Sequence, residues 1–204
     1  MQMEADPLCL SSSSARCCRV AVYCNNICNC TELSLAETNR MDQRTKLNRE
    51  DIMAQYFVLV KREGYCRKGS MLSARESATL LIDNSIWPLW EKTRCRKMVA
   101  EGDKLLIYLA GNEPGSQSVI ASAKIAKISD WNRKYSAMYP LMLDGIPERV
   151  LHLCEVKHFK HAVHVPEVLS KLSFAPKNRS KWGTAFMGGM RNLNKADYSI
   201  LGGC

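Results

Sequence analysis

The sequence predicts an α+β domain in which short strands and short helices interleave irregularly, a pattern that suits a small curved sheet or barrel with helices at its ends. Three observations lead there. Tyr56-Phe57-Val58-Leu59-Val60 is a compact apolar run of strand length. Ser73-x-x-Glu76 stands before Ala78-x-Leu80-Leu81-Ile82, a capping box that opens a short helix. Glu101-Gly102-Asp103 is a turn that feeds Lys104-Leu105-Leu106-Ile107-Tyr108-Leu109, a second apolar strand.

The first strand is expected to open at Met53. After the capped helix, Asn84-Ser85-Ile86-Trp87-Pro88 reads as a break. Glu91–Ala100 reads as a basic helical stretch with Lys92, Arg94, Arg96 and Lys97. Gly111–Ser116 is a loop whose glycines could cradle a phosphate, although a plain hairpin fits the composition better. Val119–Ile128 alternates with one slip, which predicts a strand with a bulge. Further strands are expected over Arg149–Val156 and Ala162–Val165. Pro166 suits the first position of a helix running to Leu172, where its missing N–H costs nothing. Phe174 reads as a core anchor, Lys181–Leu193 as a short helix broken by Gly188-Gly189, and Asn194-x-x-Asp197 as the start of a last turn.

Charge separates the chain into two parts. Residues 1–52 carry six Lys/Arg and seven Asp/Glu, so the net charge of +9 becomes +10 over residues 53–204. A surface so charged attracts polyanions. Six of the ten cysteines lie within the first 30 residues: Cys9, Cys17, Cys18, Cys24, Cys28 and Cys30. Their spacing, with Cys17 and Cys18 adjacent, lacks the two close pairs of a structural zinc site. Residues 1–52 show no sustained period, and Ser11–Ser14 is low in complexity. They are expected to be a disordered cysteine-rich extension, or translation from an upstream start, with the folded domain over 53–204. No apolar run reaches 18 residues, so no membrane span is expected. The N-terminus has neither a basic nor an apolar signal region, which points to the cytoplasm and to reduced thiols.

No catalytic constellation is legible, and the expectation is a non-enzyme without cofactor or metal. The chain has no G-x-S-x-G, no G-x4-G-K-[ST] and no G-x-G-x-x-G. His152, His158, His161 and His164 fall in one strand–loop–strand region without cysteine or carboxylate partners at ligand spacing. Cys154 lies on an apolar strand, a setting that raises a thiol's pKa and makes it inert.

The aromatic residues carry more. Trp87 and Trp90 precede four cations, Trp131 precedes Arg133 and Lys134, and Trp182 lies between Arg179, Lys181 and the glycine that follows. Rings beside cations suit stacking on a base while the cations hold phosphates. A core role is the alternative for each ring, and for Trp182 it is the preferred one.

The order of four segments resembles the EVE domain, a PUA-like fold related to the YTH readers of methylated RNA. They are Tyr56–Lys61; Ser85-Ile86-Trp87; Glu101–Tyr108 followed by Val119–Ala123; and the tail Leu169–Phe174, Trp182, Gly189 and Asp197–Ile200. The likeness spans about residues 54–201. Two places differ from the family's commoner form: Tyr56-Phe57 stands in place of a Trp-bearing strand, and Trp87-Pro88 in place of Trp-Gly.

The resemblance implies a PUA-like twisted barrel of five or six strands with helices around it, and a pocket for a modified nucleobase. It implies that Trp87 is one wall of an aromatic cage and that Trp131 is a counterpart. It also implies that Lys61 and Arg62 meet the base edge or its phosphate. Trp90 and Tyr108 complete the candidate ligand site. Lys92, Arg94, Arg96, Lys97, Arg133 and Lys134 are the candidate backbone contacts. The expected partner is thus DNA or RNA bearing a modified, for example methylated, base. Two other classes stay open: an enzyme on nucleic acid or nucleotides using Asp103 or a histidine as base, and a small-molecule or protein interaction module. Asp103, just after a glycine at a strand start, reads first as a turn cap.

Overall fold

The computed structural model describes residues 54–203, and the expectations for residues 1–52 fall outside that range. The described chain contains eight strands, four α-helices and two 3-10 segments. Its six-stranded sheet runs β4 (Ile86–Leu89), β7 (Arg149–His164), β6 (Ser118–Asp130), β5 (Lys104–Leu109), β1 (Tyr56–Lys61), β8 (Met190–Leu193), and it curls into a half-barrel. The α+β class and the strand number match the expectation. No helix among the described residues is long and apolar enough to cross a membrane.

Within the sheet β1 (Tyr56–Lys61) lies beside β5 (Lys104–Leu109), and the two run parallel. A parallel pair needs a crossover and tends to be covered on both faces, so its strands read as unbroken apolar runs. Both sequences do. Phe57, Leu59, Leu105, Ile107 and Leu109 point to one cluster, while Val58, Leu106 and Tyr108 point to another. The crossover supplies the cover for the first face: α1 (Ala74–Asp83) packs Ala74, Ala78, Leu81 and Ile82 there. Its capping box forms as the sequence predicts, with Ser73 Oγ accepting from Glu76 N–H and Glu76 accepting from Ser73 N–H. The second face is covered by the C-terminal third. That cover comprises α3 (Val165–Val168), the 3-10 turn Leu169–Lys171, the 3-10 segment Arg179–Phe186 and α4 (Lys195–Leu201).

Several elements differ from expectation. The first strand begins at Tyr56, not Met53. The helix breaks at Asn84 as expected, but Ile86–Leu89 continues as a strand, β4. It tolerates Pro88 because it lies at the sheet edge and pairs only with β7. Glu91–Ala100 is a series of turns, not a helix. Within that stretch only Thr93 and Val99 are buried, Lys92 and Arg96 would repel at i,i+4, and Cys95 takes a left-handed φ of 60°. The strands expected over Arg149–Val156 and Ala162–Val165 are one strand, β7 (Arg149–His164). Its distal half lost apolar alternation yet pairs with β6 (Ser118–Asp130) through three register shifts. The helix expected over Lys181–Leu193 is a 3-10 segment that ends at Phe186, then the Gly188-Gly189 reversal, then β8 (Met190–Leu193).

The remaining elements are a hairpin, β2 (Gly64–Tyr65) with β3 (Met71–Leu72), and α2 (Arg133–Met138). Asn132 caps α2, its Oδ1 accepting from Lys134 and Tyr135 N–H. Asn194 caps α4 by accepting from Asp197 N–H, which fulfils the expected last turn.

Candidate nucleic-acid interface

Because β1 and β5 are parallel, their carboxyl ends open on the same side of the sheet. Ligands favour the crevice outside such ends, since the loops diverge there and leave backbone groups free. A cleft of about 950 Å³ occupies that place. Its wall includes Val60–Glu63 at the end of β1, Tyr108 and Ala110–Asn112 at the end of β5, Trp87 from β4 and Trp90 just after it, and Lys181, Trp182 and Phe186 from the 3-10 segment. The size is at the upper end of the ~300–1,000 Å³ usual for ligand clefts.

Local hydrogen bonds fix these walls. Ala110 N–H donates to Lys61 C=O at 2.8 Å, which ties the two strand exits together. Gln117 N–H donates to Leu109 C=O at 2.7 Å and closes the Gly111–Ser116 loop over the exit. Gly188 and Gly189 both have positive φ, of 96° and 77°. Their carbonyls receive Arg94 N–H and Val60 N–H, each at 2.9 Å. A Cβ at Gly188 would stand 2.8 Å from Arg94 Cγ and Cδ, so the Arg94 side chain lies directly over this reversal. Thr93 Oγ1 accepts from Trp90 N–H at 3.0 Å and holds the turn that carries Trp90.

The rings form a chain. Tyr108 is stacked on Phe186 with centroids 4.3 Å apart, and Trp182 meets Phe186 edge-on at 6.0 Å. Tyr108 is buried, and burial pushes its phenol up to about 12 despite the nearby Arg62. It is a neutral hydrogen-bonding group at any physiological pH. Trp87 is only 4% exposed and belongs to the core as well as to the cleft wall. Trp90 is half-buried, and its indole Nε1 is buried without a hydrogen-bond partner among the described residues. Trp182 is likewise half-buried, and it lines the cleft from the margin of the second cluster.

Lys61, Arg62 and Lys181 bring positive charge to this ring surface, against the single carboxylate of Glu63. Lys61 is half-buried, and desolvation holds its ammonium below the ordinary 10.5, with Glu63 opposing. Its Nζ lies 3.5 Å from the position a Cβ would take on Gly64, and Ser77 Oγ lies 3.0 Å from the same point. Ser77 is buried and its hydroxyl is unpaired among the described residues, so two polar groups converge on the bare Gly64 Cα.

The Lys61 value sets a pH dependence with opposite signs for folding and binding. The folded value lies below the unfolded one, so the unfolded chain binds more protons as pH approaches 10.5. Its contribution to stability therefore rises with pH across that window. An anionic ligand needs the charged amine, so affinity falls as pH climbs through the lowered value. Strand binding is expected to begin its alkaline fall below 10.5, and Lys61→Met is expected to remove that component. Affinity measured from neutral pH upward for both proteins checks this.

The structure thus brings together Lys61, Arg62, Trp87, Trp90 and Tyr108 from the candidate ligand set. Trp131 is a correction: it does not line the cleft. It packs against Tyr139 and Tyr135 at 5.7 and 5.9 Å, and its Nε1 donates to Ser136 Oγ at 2.9 Å. It supports the wall from behind, because Tyr139 itself reaches the cleft. Among the candidate backbone contacts, Lys92, Arg94, Lys97, Arg133 and Lys134 are exposed. Arg96 is instead committed to Glu148, its Nε donating to Oε2 at 2.6 Å. That pairing also holds the Glu148 carboxyl below the usual carboxylate range.

Sequence reasoning gave Trp182 first to the core and missed Phe186 and the Gly188-Gly189 reversal as cleft walls. The signal was present in the cations beside Trp182 and in the paired glycines. Asp103 caps the turn as expected: its two oxygens accept from Gln55 N–H at 2.9 Å and Ala100 N–H at 2.7 Å. His152 does not line the cleft, and its Nε2 lies within 3.1 Å of Tyr135 Oη and 3.2 Å of Ser129 Oγ. Burial, with Lys127 next, lowers its pKa.

The chain matches no protein-family model and no curated protein. Among solved structures it is similar to the ASCH protein of Zymomonas mobilis, at 11% identity over 73% of this chain and 94% of that one, with a TM-score of 0.44. A single-residue mutant of that protein gives 11% identity, 73% and 95% coverage and a TM-score of 0.46. The N-terminal domain of Staphylothermus marinus McrB gives 10% identity, 74% and 94% coverage and a TM-score of 0.39.

Proposed function

We propose that this domain is a nucleic-acid-binding module that takes one base of a DNA or RNA strand into the cleft and reads a modification, such as a methyl group, on it. One observation carries the reading: rings and cations line the same cleft, with Lys61 and Arg62 at the β1 exit sharing it with Trp90, Tyr108 and Trp182. A flat base gains from stacking on such rings, at about 1–3 kcal/mol per base. The cations add a sequence-independent attraction for phosphate that salt weakens. A buried methyl group adds about 0.8 kcal/mol, so preference for a methylated base is a few-fold to tenfold unless hydrogen bonds reinforce it. The resemblance to EVE domains, drawn from the order of the four sequence segments, points the same way.

The reading is of a binder rather than an enzyme. Asp103, the candidate base, already has both oxygens engaged by backbone N–H groups. Binding of short single strands with and without a methylated base, at low salt, tests the proposal. Binding with a preference for the methylated strand supports it, and no binding at low salt rejects it.

A further inference from the structure

Outside the cleft, one group of exposed basic side chains lies along a sheet edge. Strand β4 covers β7 only over Arg149–His152, so the distal part of β7 is an edge strand. There Lys157, His158, Lys160 and His161 are all exposed. Neither Lys157 nor Lys160 makes an ion pair among the described residues. The acids on this stretch are already engaged: Glu155 lies 3.7 Å from Lys124 Nζ, and Glu167 lies 3.2 Å from His164 Nδ1.

The backbone is also irregular at this place. Val119 pairs with Val163 and Ala121 with His158, so Phe159–Ala162 stands opposite the single residue Ile120. Bulges of this kind re-aim side chains. Phe159 anchors it by packing on the second core cluster, while Lys160, His161 and Ala162 remain exposed. The bulge is continuous with the cleft. Val165 N–H donates to the carbonyl of Gln117, a cleft residue, at 2.9 Å, and Ser118 pairs with His164. From Ser118 to Ser122, the partner of Lys157, is four residues, or about 13 Å at strand rise.

We propose that the β7 edge from Lys157 to His161 is a second contact surface, which holds the phosphates of the strand leaving the cleft. The proposal rests on the nucleic-acid reading of the cleft. Lysines on an edge strand also guard against edge-to-edge pairing, and the test separates that role.

The experiment uses the full chain and its Lys157→Glu/Lys160→Glu variant, with two probes over a range of salt. One is a methylated nucleoside 5′-monophosphate, which occupies the cleft alone. The other is a 12-residue single strand carrying the same base. The variant is expected to bind the monophosphate as the parent does. It is expected to bind the long strand about tenfold or more weakly at low salt, with a log–log salt slope shallower by about 1.4, the value for two phosphate contacts on a single strand. An unchanged affinity and slope for the long strand overturns the proposal, including when the variant self-associates more than the parent. Failure of the parent to bind the monophosphate strikes the cleft reading instead, and is read separately from the salt slope.

Discussion

Asp103→Ala is expected to lower the unfolding free energy by about 2–5 kcal/mol and to leave strand binding by the folded fraction unchanged. Asp103 is 3% exposed, and its carboxylate accepts from Gln55 N–H and Ala100 N–H. Removing it strands two donors in the turn that aligns β1 with β5. Each unsatisfied buried donor costs about 1–3 kcal/mol. Asp103→Asn keeps one acceptor and turns an N–H donor toward the other site, so it falls between the two. Urea unfolding of the three proteins, with affinity measured on the folded protein, checks the prediction. Loss of a chemical activity with stability intact would instead mark Asp103 as a catalytic base.

Trp182→Ala is expected to weaken binding of a short single strand by about 1–3 kcal/mol, which is roughly five- to hundredfold. The choice of ring matters. The sequence resemblance singles out Trp87, but Trp87 is 4% exposed and packs in the main core, so its truncation costs about 3–5 kcal/mol of stability in its own right. Loss of binding in a Trp87→Ala protein therefore reports lost stability as well as a lost contact. Trp182 is half-buried on a 3-10 segment at the cleft wall and sits at the margin of the second cluster, so its truncation is expected to cost less stability than that of Trp87. Titration of the strand against both proteins, with unfolding curves to confirm the fold, gives the answer. Equal affinities would remove Trp182 from the site.

Much of the architecture was legible because it rests on local signals. The runs over Tyr56–Val60 and Lys104–Leu109 are apolar throughout, which is what burial on both faces of a parallel pair demands. The capping box at Ser73 and Glu76 and the Gly102-Asp103 turn are short-range devices, and each formed as its spacing implied. The cleft was legible only in part. Lys61, Trp87 and Tyr108 are far apart in sequence, and their meeting follows from the parallel pairing of β1 with β5, which no local pattern encodes. Trp131 looked equivalent to the other tryptophans because a ring beside cations reads the same whether it faces a ligand or braces Tyr139. The stretch Glu91–Ala100 misled for the opposite reason: its helix-forming composition is overridden by the Thr93 turn and the left-handed Cys95. The bulge at Phe159–Ala162 is set by pairing across β6, and the sequence shows only a loss of alternation there.

The central claim is that the cleft holds a base rather than attracting a strand by charge alone. It is tested most directly by comparing, at one low salt concentration, a short single strand carrying one methylated base with the same strand made abasic at that position. The account predicts tighter binding of the base-bearing strand by about 1–3 kcal/mol, the contribution of one stacked base. Equal affinity for the abasic strand would contradict it.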